Sequence, residues 1–379
     1  MMFGKRITLF KLFGFSVRID ISWIIIAILI TWSLALGLFP QYYKDLSKTT
    51  YWLMGAIGAL GLFASIVFHE LCHSLVARRY GLPMKGITLF IFGGVAEMEE
   101  APPSAKVEFL MAVAGPISSI LLGGFFYGVL IVGRGIGFPD PVKGVVGYLA
   151  VINLILAAFN LLPAFPLDGG RMLRSALWGW KGNLRWATRI ASRIGIGFGM
   201  VLVFFGVLQV LLGNFIGGIW WFMIGMFLQN AARGSYQQVL TRQAFKGEKV
   251  GRFMEPNPIT VPPSLSIKEL VEDFFYKYYF KMFPVVENGR LLGCISSRQV
   301  KDITRQEWDQ HTVRELVWKC SPQNTISPED DVLKALSIMS TTGNSRLMVV
   351  EGDRLVGIVA LKDMLTLLSL KMDLEGYEE

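Results

Sequence analysis

The sequence predicts an α-helical polytopic membrane domain, with six transmembrane helices and a small β-hairpin, followed by a smaller soluble α/β part. Three observations carry this. Of 379 residues, 53% are apolar and only 17% charged, against about 25% charged in ordinary soluble domains. Nine of the 29 acidic residues fall in positions 1–232 and 20 in the rest, so the apolar excess lies in the first part. The region beyond position 250 contains an internal repeat of α/β character. This composition excludes a disordered chain, and three cysteines in so long a chain exclude a disulfide scaffold.

A span needs about 20 mostly apolar residues. Charge-free runs of that size occur at Ile21–Tyr43, Thr49–Phe68, Phe109–Gly133 and Gly144–Leu167. A fifth run, Ile194–Ala232, is long enough for two spans divided by a short turn at Gly213-Asn214. Basic residues cluster before the first span (Lys5, Arg6, Lys11, Arg18), after the second (Arg78, Arg79), between the fourth and fifth (Arg171 to Arg193) and after the last (Arg233). With six spans all these segments share one side. The positive-inside rule then predicts a multi-pass cell-membrane protein with both termini cytoplasmic. The net charge of +8 is explained by these flanks, and no nucleic-acid partner is expected. No small-residue cleavage site follows the first run, which disfavours a cleaved signal peptide.

Between the second and third spans, two β-prone runs surround Gly93-Gly94 and predict a hairpin over 87–98. Its backbone can lie at membrane depth only beside protein or a water-filled cavity. The hairpin is either a structural plug or an edge that holds substrate. Glu97, Glu99, Glu100 and Glu108 follow as a solvated acidic patch.

Ionisable groups inside a span are costly and read first as functional. The second span ends in His69-Glu70-Leu71-Cys72-His73. On a helix, positions i and i+4 share a face, so both imidazoles can reach one Zn2+ ion. Glu70 stands beside them as general base, the H-E-x-x-H arrangement. Cys72 is read as a small packing residue. A catalytic zinc ordinarily has three protein ligands and a water, so one ligand is missing. Asp168 is the candidate. It stands where the fourth apolar run breaks, in Asn160-Leu-Leu-Pro-Ala-Phe-Pro-Leu-Asp168-Gly169-Gly170-Arg171, where glycines permit a tight turn. The alternative is an Asp at a helix end paired with Arg171.

These two motifs, with Gly115-Pro116 in the third span, resemble the site-2 protease family of intramembrane zinc metalloproteases over roughly 1–232. The resemblance implies His69, His73 and Asp168 as zinc ligands and Glu70 as catalytic base. It places Asn160 near the substrate or the developing oxyanion. The implied substrate is a transmembrane or membrane-associated regulatory protein, and the basic residues beside both motifs, Arg78-Arg79 and the 171–193 segment, place the expected cut near the cytoplasmic membrane edge.

After a linker (233–252), Pro284–Ile295 matches Met348–Val359 at an offset of 64. Each copy follows a short strand and an amphipathic helix, giving two β-α-β-β-α units at 253–308 and 313–372. They resemble tandem CBS domains. The subgroup with such a module includes the sporulation protease that processes a membrane-associated sigma-factor precursor. CBS pairs commonly bind adenine nucleotide through a Ser/Thr and an Asp three residues later. Here Ser296 is followed by Gln299, and Asp363 is preceded by Ala360, so each repeat keeps one half of the pattern. Packing or homodimerisation without a ligand is the competing expectation. Because CBS pairs also regulate transporters, an ion or metal transporter whose path is lined by His69, His73 and Asp168 is the alternative function, and a catalytically dead scaffold a third.

Overall fold

The computed structural model describes residues 6–91, 93–98 and 102–374, so Phe92, Glu99 and Glu100 lie outside the described residues. The chain forms two compact units, Met1–Val239 and Leu240–Glu379. Among the described residues, six helices are long and apolar enough to cross a membrane. They are Ile21–Tyr42, Lys48–Arg79, Ala105–Gly135, Asp140–Asn160, Leu184–Leu211 and Phe215–Ala244.

Several boundaries differ from the expected runs, for local reasons. The second helix continues eleven residues beyond Phe68, so the histidine motif sits within it. The fourth stops at Asn160, because Pro163 and Pro166 cannot continue a helix. A separate helix, Asp168–Lys181, then begins. Asp168 therefore opens a helix instead of ending one. Gly169 and Gly170 lie inside that helix and not in a turn. A Cβ on Gly169 would fall 2.2 Å from the Leu161 carbonyl oxygen, and one on Gly170 would fall 2.3 Å from the Phe165 nitrogen. Their role is to let the 161–167 loop fold back onto the helix start. The stretch read as a linker is helical to Ala244.

The expected hairpin is one half of a four-stranded sheet. Strands β1 (Arg6–Leu12), β2 (Phe15–Asp20), β3 (Met84–Phe90) and β4 (Gly93–Met98) lie in that order. β2 pairs parallel with β3. The first two strands read in sequence only as a basic flank, yet β2 buries alternate residues, Phe15, Val17 and Ile19, as a half-buried strand should. Phe15 and Ile87 pack on Leu71 of the second span, which fixes the sheet beside the histidine motif.

The fifth and sixth spans form the predicted antiparallel pair, turned by Gly213 at φ +89°. Gly199 and Gly206 face Gly225 and Gly218. A Cβ on Gly206 would come within 2.6 Å of the Phe222 nitrogen. Without water to drive association, membrane helices pack through such small residues.

In the second unit the two-residue β7 (Trp318–Lys319) lies beside β6 (Arg290–Ser296), and two hairpins form: β5 (Met282–Glu287) pairs with β6, and β9 (Arg346–Glu351) with β10 (Arg354–Ala360). The offset of 64 holds for both ends of both strands. It also holds for packing: Val271, Phe283, Val285, Ile295 and Val300 in one core match Ala335, Leu347, Val349, Val359 and Met364 in the other. The two repeats differ in their leading strand. β8 (Thr325–Ile326) pairs parallel with β9, whereas its counterpart is reduced to one bridge, Val261 to Val285.

Gly206→Leu is expected to destabilise the detergent-solubilised protein by roughly the 1–3 kcal/mol of an overpacked contact. Gly197→Leu, where no atom lies within 4 Å of the added Cβ, should melt like wild type. Thermal unfolding followed by size exclusion reads both.

Candidate metal centre

The second span brings His69 and His73 to one face, buried at 3% and 6% exposure. The Nδ1 of His73 lies 2.6 Å from the Met111 carbonyl oxygen of the third span. A carbonyl can only accept, so that nitrogen carries the proton and a neutral His73 presents a lone pair at Nε2. The Nδ1 of His69 is held by the Ser119 hydroxyl at 2.8 Å, also from the third span. Both rings are thus oriented from behind, the outer-shell arrangement expected of metal-binding histidines.

Asp168 reaches the same point from the start of its helix. Its Oδ2 lies 3.0 Å from His69 Nε2 and 3.2 Å from His73 Nε2, and the two Nε2 atoms are 3.2 Å apart. Lone-pair atoms converging in a buried place repel one another unless a proton or a cation sits among them. A tetrahedral zinc with bonds of 2.0–2.1 Å has ligand–ligand edges of about 3.3 Å, close to this triangle. Among the described residues this trio is the one group of three or more His, Cys, Asp or Glu side chains placed to hold a metal ion. Gly115 supplies the room. A Cβ there would fall 2.2 Å from His73 Nε2 and 2.5 Å from His69 Nε2. The donor set and the cleared space fit zinc.

Glu70 points to the neighbouring side of the helix, within electrostatic reach of both imidazoles, Asp168 and Arg171. Gly94 of β4 packs against it, where a Cβ would meet Glu70 Cγ at 2.8 Å. Glu70, His69 and Asn160 all line one cavity of about 330 Å³, walled by apolar side chains including Phe63, Phe159 and Trp220. Asn160 donates one amide hydrogen to the Leu156 carbonyl at 3.0 Å. An amide nitrogen has two hydrogens, so one remains beyond this bond.

Glu108 is not part of a solvated patch. It is 2% exposed and accepts a hydrogen bond from Arg174 Nε at 2.7 Å. The third span begins at Ala105, earlier than the apolar run suggests, and carries Glu108 inside. Sequence reading also missed Ser119, Met111 and Asn153. Asn153 is fully buried and donates to Ser65 Oγ at 3.0 Å. Ser65 stands one turn before His69, a polar column along one face that the sequence does display.

Ser296 stands at the end of β6 and Asp363 in the first turn of the helix Leu361–Leu374. Ser296 caps the short helix Ser297–Val300 and pairs with the Gln299 side chain. The cavity that Ser296 lines has about 110 Å³ and does not include Asp363 among its walls, whereas small-molecule pockets usually have at least about 300 Å³.

Residues 57–145 and 138–203 match the model of peptidase family M50, and residues 250–304 and 313–370 match the CBS domain. The chain is 34% identical over 366 residues to a Mycobacterium tuberculosis protein named "Putative zinc metalloprotease Rip3", covering 96% of this chain and 93% of that one. The chain belongs to peptidase family M50. A zinc metalloprotease of Methanocaldococcus jannaschii is 33% identical over 366 residues, covering 96% of both chains. The site-2 protease structure from the same organism shares 31% identity, covers 61% of this chain and 94% of that one, and superposes with a TM-score of 0.43. By its family and by relatives matched over nearly their whole length, the protein is a multi-pass membrane zinc metalloprotease of the site-2 type with a tandem CBS module. That membership does not favour the transporter alternative.

Gly115→Ala in this M50 protease should weaken zinc binding by more than about tenfold, the scale of outer-shell losses, while the fold survives. Gly124→Ala, with open space at its Cβ, should leave zinc unchanged. Metal analysis after dialysis against a chelator measures both.

Proposed function

We propose that this protease binds one zinc ion through His69, His73 and Asp168 and uses Glu70 to hydrolyse a peptide bond within or beside a substrate's membrane segment, near the cytoplasmic edge. The observation that carries the reading is the convergence of three buried lone-pair atoms next to Glu70, at the wall of an apolar cavity. When bound, zinc supplies Lewis-acid polarisation of water and of the scissile carbonyl. Glu70 takes the proton of the attacking water and delivers it to the leaving amine. The second amide hydrogen of Asn160 donates to the oxygen on which charge develops.

A membrane helix hides its carbonyls in its own hydrogen bonds, so the substrate must be unwound over a short stretch. β4 pairs with β3 on one side only, and Gly94 brings it against Glu70. An extended substrate segment added to that edge gains backbone hydrogen bonds at the place where cleavage occurs. The basic flanks put both termini on the cytoplasmic side. The histidine motif lies close to Arg78-Arg79 on that side, which sets the expected cut.

Glu70→Gln should keep zinc and lose about 10²–10⁴ in rate, because Glu70 moves protons and does not ligate. Asp168→Asn should lose both zinc and activity. Co-expression with single-span membrane proteins, with mass spectrometry of the fragments and metal analysis of each variant, tests this. Zinc loss in Glu70→Gln, full zinc occupancy in Asp168→Asn, or a cut on the far side would each refute the assignment.

The CBS pair is read as the regulatory part. Regulation by adenine nucleotide requires that ATP or AMP change proteolysis by the full-length protein. A flat titration assigns the pair to packing or to homodimerisation.

A further inference from the structure

We propose that the buried Glu108–Arg174 ion pair is a positioning device that sets the register between the two helices supplying the metal centre, an inference that rests on zinc being held by His69, His73 and Asp168. The third span fixes the histidines: Met111 holds His73, Ser119 holds His69, and Gly115 makes room for both Nε2 atoms. The 168–181 helix supplies Asp168. The third ligand thus depends on how one helix lies along the other.

The two helices run side by side in opposite directions. Gly179 approaches Ala105, with 3.6 Å from an added Cβ to the Ala105 side chain. Arg174 grips Glu108, through Nε at 2.7 Å and through Nη2 on the same oxygen. Asp168 meets the ring whose partner carbonyl is Met111. From Glu108 to Gly115 is seven residues and from Arg174 back to Asp168 is six, rises of about 10 and 9 Å. The pair and the metal centre are therefore two points on one interface, separated by similar distances on the two helices.

Arg174 also controls the approach to Asp168. Its guanidinium stacks 4.6 Å from the centre of the Phe165 ring, in the loop three residues before Asp168, and Phe165 is 3% exposed. One side chain holds the neighbouring span, the entering loop and the ligand's own helix. The other Glu108 oxygen, Oε2, is buried and has no hydrogen-bond partner, so the pair is not a fully satisfied packing unit. Buried ion pairs can be replaced by apolar residues at little cost in stability, and fixing register is their best-attested use. An apolar pair would slide, whereas a fork on a single oxygen does not.

The test is zinc affinity by chelator competition on purified full-length protein, with size exclusion and thermal melting as folding controls. Glu108→Gln should weaken zinc by at least about tenfold, the loss typical of groups that orient ligands. Arg174→Lys should fall between it and wild type. The apolar double variant Glu108→Leu/Arg174→Met should fold and melt near wild type yet bind zinc as weakly as Glu108→Gln. The exchanged pair Glu108→Arg/Arg174→Glu should recover affinity to within about threefold of wild type. Saturating zinc should restore turnover, because neither Glu108 nor Arg174 lines the substrate cavity. Wild-type zinc affinity in a folded apolar double variant overturns the proposal, and so does failure of the exchanged pair to recover. Asp168→Asn, run alongside, separates this from the metal assignment: if it retains zinc, the ligand set itself is wrong.

Discussion

Three lone-pair atoms meet inside an apolar helix bundle, and the rest of the membrane unit is arranged around holding them there. Buried polar groups without partners cost several kcal/mol in such surroundings; here each ring is fastened from behind, and the space among the three atoms fits a cation. His73 is tied to a backbone carbonyl and His69 to a serine, both on the third span. The proposed metal centre is therefore a property of the interface between spans and not of the histidine motif alone.

Holding that interface requires close backbone approach. Gly115 clears the space beside both imidazoles, Gly94 lets β4 come against Glu70, and Gly169 and Gly170 let the proline-broken loop fold onto the helix that starts with Asp168. Gly195 of the fifth span faces the same loop, with an added Cβ only 2.0 Å from the Phe165 carbonyl oxygen. Where an alanine would suffice for helix propensity, only hydrogen fits the gap. The same logic joins the fifth and sixth spans. In lipid, where apolar contact offers no gain over the solvent, this closeness is what packing has to work with.

The CBS unit shows how far a repeated sequence preserves structure while the residues that follow its hairpins differ. The two repeats agree in strand ends and in core positions. They diverge at Ser296 and Gln299 against Ala360 and Asp363, and the serine is committed to capping a one-turn helix. The core is constrained by volume at each site, whereas a capping hydroxyl and a ligand hydroxyl compete for the same oxygen.

Much of this was determined by the sequence alone. Span number and the spacing of the histidine motif are local properties, read from runs of apolar residues and from helix periodicity. The offset of 64 needs no three-dimensional information. Asp168 was legible because a carboxylate beside an apolar run is expensive wherever the chain goes. Tertiary structure decided the rest. That Glu108 is a buried partner of Arg174 and not surface charge depends on residues 66 positions apart meeting. The strands β1 and β2 gain their meaning from the pairing of β2 with β3, across the first two spans. Ser119 and Met111 carry no sequence signal of their function, because a serine and a backbone carbonyl are ordinary in any membrane helix. Patterns of period and burial cost are written in neighbouring residues; the partner that satisfies each buried group is chosen only when distant helices pack.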